Sequence, residues 1–122
     1  MAADASVSIN FLLTGLGKEV EFAAKFSTTT APTRSLYHYA VQTTADTEQA
    51  LELGDVATSQ LLIIKCVAND VDLDLDFDST FNADLTIQEG EVAVIPVPAG
   101  VVYIKNNDAA EESTVEYVLI GT

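Results

Sequence analysis

The sequence predicts an all-β fold, a single antiparallel β-sandwich or jelly-roll-like domain. Three observations carry that expectation. Apolar and polar residues alternate with a period of two in nearly every segment of the 122 residues, the spacing that turns one side of a strand toward a core. Turn signals recur at close intervals, as they do in sandwiches and barrels. The one stretch able to make a helical turn, residues 45–50, is too short to hold as a helix.

The elements follow in order. Val7, Ile9 and Phe11 alternate with Ser6, Ser8 and Asn10, the pattern of a half-buried strand. Gly15 and Gly17 turn the chain into a second strand, where Val20, Phe22 and Ala24 alternate with Glu19, Glu21 and Lys25. Residues 27–33 (STTTAPT) form a polar, Pro-containing loop. Residues 36–43 (LYHYAVQT) are rich in β-formers, with Tyr37, Tyr39 and Val41 on one face. Leu51 and Leu53 lead into a turn at Gly54-Asp55. Residues 61–67 (LLIIKCV) are apolar on both faces and read as a central strand.

Residues 71–77 alternate most cleanly. Val71, Leu73, Leu75 and Phe77 point one way, and Asp70, Asp72, Asp74, Asp76 and Asp78 the other. Leu85 and Ile87 begin another strand, ended by Glu89-Gly90. Residues 92–97 follow, and Pro96 marks the end of that strand as an edge or a bulge. Pro98-Ala99-Gly100 turns into residues 101–105. Residues 106–113 (NNDAAEES) are a polar loop, and residues 114–120 are the last strand. Residues 1–5 read as a flexible N-terminal arm and residues 6–122 as one domain.

Charge narrows the partners. Five Lys and Arg face nineteen Asp and Glu, a net charge of −14. Nucleic-acid binding needs a basic patch that releases counterions, and Lys18, Lys25, Arg34, Lys65 and Lys105 are scattered along the chain. An anionic membrane surface would also repel the chain. Acidity of this kind serves solubility. Mean hydropathy is nonetheless +0.25, an apolar surplus that points to assembly, as a homo-oligomer or on another protein. Residues 1–17 lack a basic stretch and a long apolar run, so no signal peptide is expected. Residues 92–104 are broken by Pro96, Pro98 and Gly100 and fall short of the roughly 20 residues that span a bilayer. The expected product is soluble and made in the cytoplasm.

No catalytic constellation stands out, and the expectation is of a protein without enzymatic activity or cofactor. The aspartate ladder is the most suggestive feature. Same-face strand residues lie about 6.5–7 Å apart, and carboxylates so spaced bind a hard cation if a loop adds oxygens. The competing reading, and the favoured one, is a solvated strand face whose like charges block edge-to-edge pairing. The only histidine, His38, has no nucleophile or orienting carboxylate in a recognisable motif. It reads as an ordinary strand residue on a polar face. Cys66, the single cysteine, shares a face with Leu62 and Ile64 and reads as a buried, inert thiol. Lys65 lies between apolar neighbours, either with its ammonium in water or in a salt bridge at a subunit interface. Gly15 and Gly17 lack the rest of a phosphate-loop pattern. Paired glycosidase carboxylates are disfavoured because there is no Trp to stack on sugar.

The order LELGDVAT (51–58), LLIIKCVAND (61–70), LTIQEGEVAVIPVPAG (85–100) and VVYIKNNDAAEESTVEYVLIGT (101–122) resembles small all-β virion proteins of tailed bacteriophages. In that group a Leu-Gly-Asp turn precedes a strand with an Asn-Asp-like end. A Gly-Glu turn, a Pro-Ala-Gly-like turn and a C-terminal hairpin follow. The likeness covers about residues 50–122 and rests on turn signals. The aspartate ladder is more acidic than the group's pattern. The resemblance implies a virion structural role. With a net charge of −14, an exterior capsid decoration protein fits better than one lining a DNA-filled interior. A tail- or fibre-associated adaptor is the close alternative, and a free carbohydrate- or ligand-binding β-sandwich is the competitor from another class. Exposed platforms at Tyr37, Tyr39 or Tyr103 would favour the competitor. The expected docking surfaces are Pro96, Pro98, Gly100, Lys65 and the N-terminal arm.

Overall fold

A computed structural model describes residues 3–96 and 101–122. Among these residues there is no helix, and the chain is all-β with every strand pairing antiparallel. Residues 45–50 make a tight turn, with Asp46 at φ 58°, and then a short strand.

The chain divides into two compact units, Met1–Pro32 and Thr33–Thr122. The first two strands, expected within one domain over residues 6–122, lie in the smaller unit. The polar loop at residues 27–33 carries the division.

The smaller unit is a hairpin of β1 (Ser6–Leu13) and β2 (Val20–Ser27). Its register sets Val7 opposite Phe26, Ile9 opposite Ala24, Phe11 opposite Phe22 and Leu13 opposite Val20. Residues directly opposite share a face, so these eight apolar side chains all lie on one side of the ribbon. Ser6, Ser8, Asn10, Glu21, Lys25 and Ser27 lie on the other, with Leu12 and Ala23.

The larger unit is a β-sandwich. One sheet has the order β3-β10-β5-β8 and the other β4-β9-β6-β7. Here β3 is Arg34–Gln42, β4 Gln49–Ala50, β5 Ser59–Ala68, β6 Val71–Asp74, β7 Leu85–Ile87, β8 Val92–Ile95, β9 Tyr103–Asn106 and β10 Thr114–Gly121. The pairings β3 with β10, β4 with β9, β5 with β8 and β6 with β7 describe one long two-stranded ribbon. Its closed tip is the β6–β7 loop, and successive segments cross between the two sheets. The most distant strands in sequence, β3 and β10, are thus neighbours.

Alternation explains which residues fill the sandwich. Along β10 Val115, Tyr117 and Leu119 are buried and their neighbours only partly so. Leu62, Ile64 and Cys66 of β5 meet Val71 and Leu73 of β6 and Ile104 of β9 in one core. Each such aliphatic side chain contributes roughly 1.5–3 kcal/mol by leaving water. β5 sits inside its sheet, as its two-sided apolar pattern requires. β8 is an edge strand and stops at Ile95, just before Pro96, which has no N–H for a ladder. Tyr117 is the largest fully buried side chain. Its hydroxyl donates to the Glu52 carbonyl at 2.9 Å, and burial pushes its pKa up to about 12.

Candidate functional site

The aspartates do not form one flat row. The strand expected through Phe77 ends at Asp74, because this carboxylate turns inward and is only 1% exposed. Its Oδ1 accepts the Asp76 N–H at 3.1 Å and its Oδ2 accepts the Asn82 N–H at 2.9 Å. Such local bonds offer the backbone an alternative to the strand ladder. Asp84 works the same loop from the other side, accepting the Leu75 N–H at 2.7 Å. Asp70 accepts the Glu89 N–H at 2.9 Å, and Asp72 accepts from the Thr86 hydroxyl and the Asn107 amide. Asp78 lies exposed.

Asp74, Asp76 and Asp84 thus bring carboxylate oxygens within 4.8 Å of one another at the tip of the ribbon. The backbone N–H of Asn82, then that of Asp76, holds the Asp74 carboxyl below the usual range. Asp76 is pushed the other way, chiefly by its contact with the Asp74 carboxylate and then by the charge of Asp84. A hard cation spans distances of this kind. However, Asp74 and Asp84 already accept backbone N–H groups, so the loop has a structural use for them.

A polar hollow of about 310 Å³ is lined by Asp46, Asp72, Phe81, Lys105, Asn106 and Asn107 among others. Asp46 accepts from the Ala110 N–H and the Asn106 amide, which lower its pKa in that order. Lys105 Nζ stands 5.9 Å from the Phe81 ring centre. Sequence reading missed this hollow because its residues come from four separate segments.

His38 is not on a purely polar face. Its ring lies 5.4 Å from that of Tyr117, and Nε2 is 3.2 Å from Glu52 Oε2. Lys65 is exposed, opposite Glu116 and Val92 on the neighbouring strands. Pro96 is exposed, whereas Pro98 and Gly100 lie outside the described residues. Tyr37 and Tyr39 project 59% and 65% exposed from β3, and the Tyr37 hydroxyl donates to Glu116. Tyr103 instead stacks on Phe77 at 3.7 Å.

Cys66 is fully buried, its thiol donating to the Asn69 carbonyl at 2.9 Å. Burial, then the charge of Asp70, pushes its pKa up to about 11. Since the thiolate is the reactive form, the folded protein is expected to resist thiol reagents at pH 8 and to release one reactive thiol on denaturation. Immediate labelling of the native protein would show Cys66 to be accessible.

Among the described residues, the apolar side of the hairpin carries a run of exposed side chains, although Val7 on it is buried. Ile9, Phe11, Val20, Phe22 and Phe26 on that side are 38–58% exposed. Charge is divided unevenly along the chain. Residues 1–32 carry Lys18 and Lys25 against Asp4, Glu19 and Glu21, a net charge of −1, and the remaining −13 lies in residues 33–122. Comparison of the chain with protein-family models, with curated proteins and with solved structures finds no match.

Proposed function

We propose that this chain is a non-enzymatic structural protein of a bacteriophage virion, a decoration or accessory protein on the outside of the capsid. Its partners are capsid or other virion proteins, and it is made in the host cytoplasm. The observation that carries this reading is the division of the molecule into a strongly anionic sandwich and a nearly neutral apolar ribbon. An anionic body suits an exterior surface and keeps particles apart, while exposed apolar surface marks an assembly contact. The resemblance of residues 50–122 to phage virion proteins agrees with it. So does the strand order, which we read as a jelly roll, an architecture used in viral capsids and in lectins. Fold alone does not fix function.

The test is co-sedimentation of the full-length protein with undecorated phage shells. Saturable binding is expected, with no nucleic-acid binding at any salt concentration. Failure to bind shells would reject the proposal. A carbohydrate-binding module is the second reading, favoured by the exposed Tyr37 and Tyr39 on one face of β3. Stacking platforms of this kind suit apolar sugar faces. Sugar binding abolished by Tyr39→Ala, without shell binding, would establish that reading instead.

A further inference from the structure

We infer that the apolar face of the β1–β2 ribbon is covered by the same face of a second copy of this chain. The ribbon is largely sorted: Ile9, Phe11, Val20, Phe22 and Phe26 lie on one side, and Ser8, Asn10, Glu21 and Lys25 on the other, where Leu12 and Ala23 are the apolar exceptions. A two-stranded hairpin is marginal alone in water, and an apolar face needs something packed on it to be stable. Here Ile9, Phe11, Val20, Phe22 and Phe26 of that face are exposed, while Val7 at its end is buried.

Charge selects the occupant, and area sets the strength of the contact. The exposed parts of three Phe rings, Ile9 and Val20 amount to roughly half of the 800 Å² or so that each partner contributes to a standard stable interface, so the pairing is of the weak, concentration-dependent kind. Two-fold pairing also supplies a matched surface, since an isologous contact sets one apolar face against an identical one, as two sheets stack about 10 Å apart in a sandwich. Charge then restricts where copies can meet. Bodies bearing −13 repel one another, whereas the ribbon carries −1, with Lys18 and Lys25 beside Glu19 and Glu21. The ribbon is where two copies approach with least repulsion, and added salt strengthens the contact by screening the bodies within about 10 Å at 0.1 M.

Sedimentation equilibrium of the full chain at low and high salt tests this. The expected result is a concentration-dependent dimer, or a higher oligomer built on it, that tightens with salt. Phe11→Ser with Phe22→Ser should weaken association at least tenfold while leaving the tyrosine-detected melt of residues 33–122 in place. Two adjacent positions supply an independent readout. Ala24 lies on the apolar face and Ala23 on the polar one, and both are exposed. With Cys66 buried, Ala24→Cys should be joined to a second copy by a short bismaleimide, and Ala23→Cys should not. A monomer at every concentration and salt, or equal cross-linking of the two variants, overturns the inference. Shell binding by a strictly monomeric protein would also overturn it and leave the virion proposal standing. A ribbon-mediated dimer that ignores shells would do the reverse.

Discussion

Gly121→Ala is expected to destabilise the sandwich by about 3 kcal/mol, the upper end of ordinary overpacking. A Cβ at this position would stand 2.0 Å from the Thr58 carbonyl oxygen and 2.8 Å from Val56 Cγ1. The chain end cannot move aside without loss. Thr122 N–H donates to the Thr58 carbonyl at 3.0 Å, and the N–H groups of Ala57 and Thr58 donate to the Thr122 carbonyl at 2.9 Å. On its other side Gly121 pairs with Arg34, and its carbonyl accepts the Thr33 N–H at 2.8 Å. Displacement strains several hydrogen bonds worth about 1 kcal/mol each and opens the pairing of the first and last sandwich strands. Gly90→Ala is the control: its φ is +88° and a Cβ there meets nothing within 4 Å, so only backbone strain of about 1–2 kcal/mol is added. All four tyrosines, Tyr37, Tyr39, Tyr103 and Tyr117, lie in residues 33–122, so urea melts followed by tyrosine fluorescence report this unit. A Gly121→Ala midpoint equal to the wild type would refute the steric account.

The same comparison shows what alternation does and does not encode. The alternation in β1 and β2 is at least as regular as that in β10 (TVEYVLIG), where Val118 and Ile120 also place apolar side chains on the second face. In β10 Val115, Tyr117 and Leu119 are buried between two sheets, and in β1 and β2 most of the apolar residues face water. Period-two spacing names the apolar face of a strand; it does not name what covers it. That is why the strands were legible and the separate hairpin was not. The turns at Gly54-Asp55 and Glu89-Gly90 were legible for a different reason, since Gly54 and Gly90 both adopt positive φ. The aspartate ladder misled because a side-chain bond to the chain's own backbone has no periodic signal. Asp74 keeps the strand's spacing up to the residue at which it ends the strand. The polar hollow depends on β6, β9 and distant loops meeting, which no local pattern records.

Asp74→Asn and Asp76→Asn are expected to change stability in opposite directions at pH 7. Asp74 is buried and accepts two backbone N–H groups. An amide there turns a donor toward one of them and leaves that N–H unpaired, so the melting temperature should fall by several degrees. Asp76 is exposed and sits against the carboxylates of Asp74 and Asp84. Removing its charge relieves repulsion, and a small rise is expected. The pH dependence follows from the two shifts. The Asp74 carboxyl is lowered by the Asn82 N–H first. Its contribution is therefore complete above the unfolded value of about 3.9 and is lost as pH falls through its lower folded value. The Asp76 carboxyl is raised, so its ionisation opposes folding at neutral pH. That penalty is lifted as pH falls through its folded value, before Asp74 is protonated. The wild type should therefore gain a little stability on the way down from neutral pH and then lose it. Asp76→Asn should lack the gain, and Asp74→Asn should show a shallower acid loss. Tyrosine-detected melts of the three proteins between pH 7 and the acid limb measure both differences. Shifts of the same sign at pH 7, or an unchanged acid limb in Asp74→Asn, would mean that these carboxylates do not organise the β6–β7 loop.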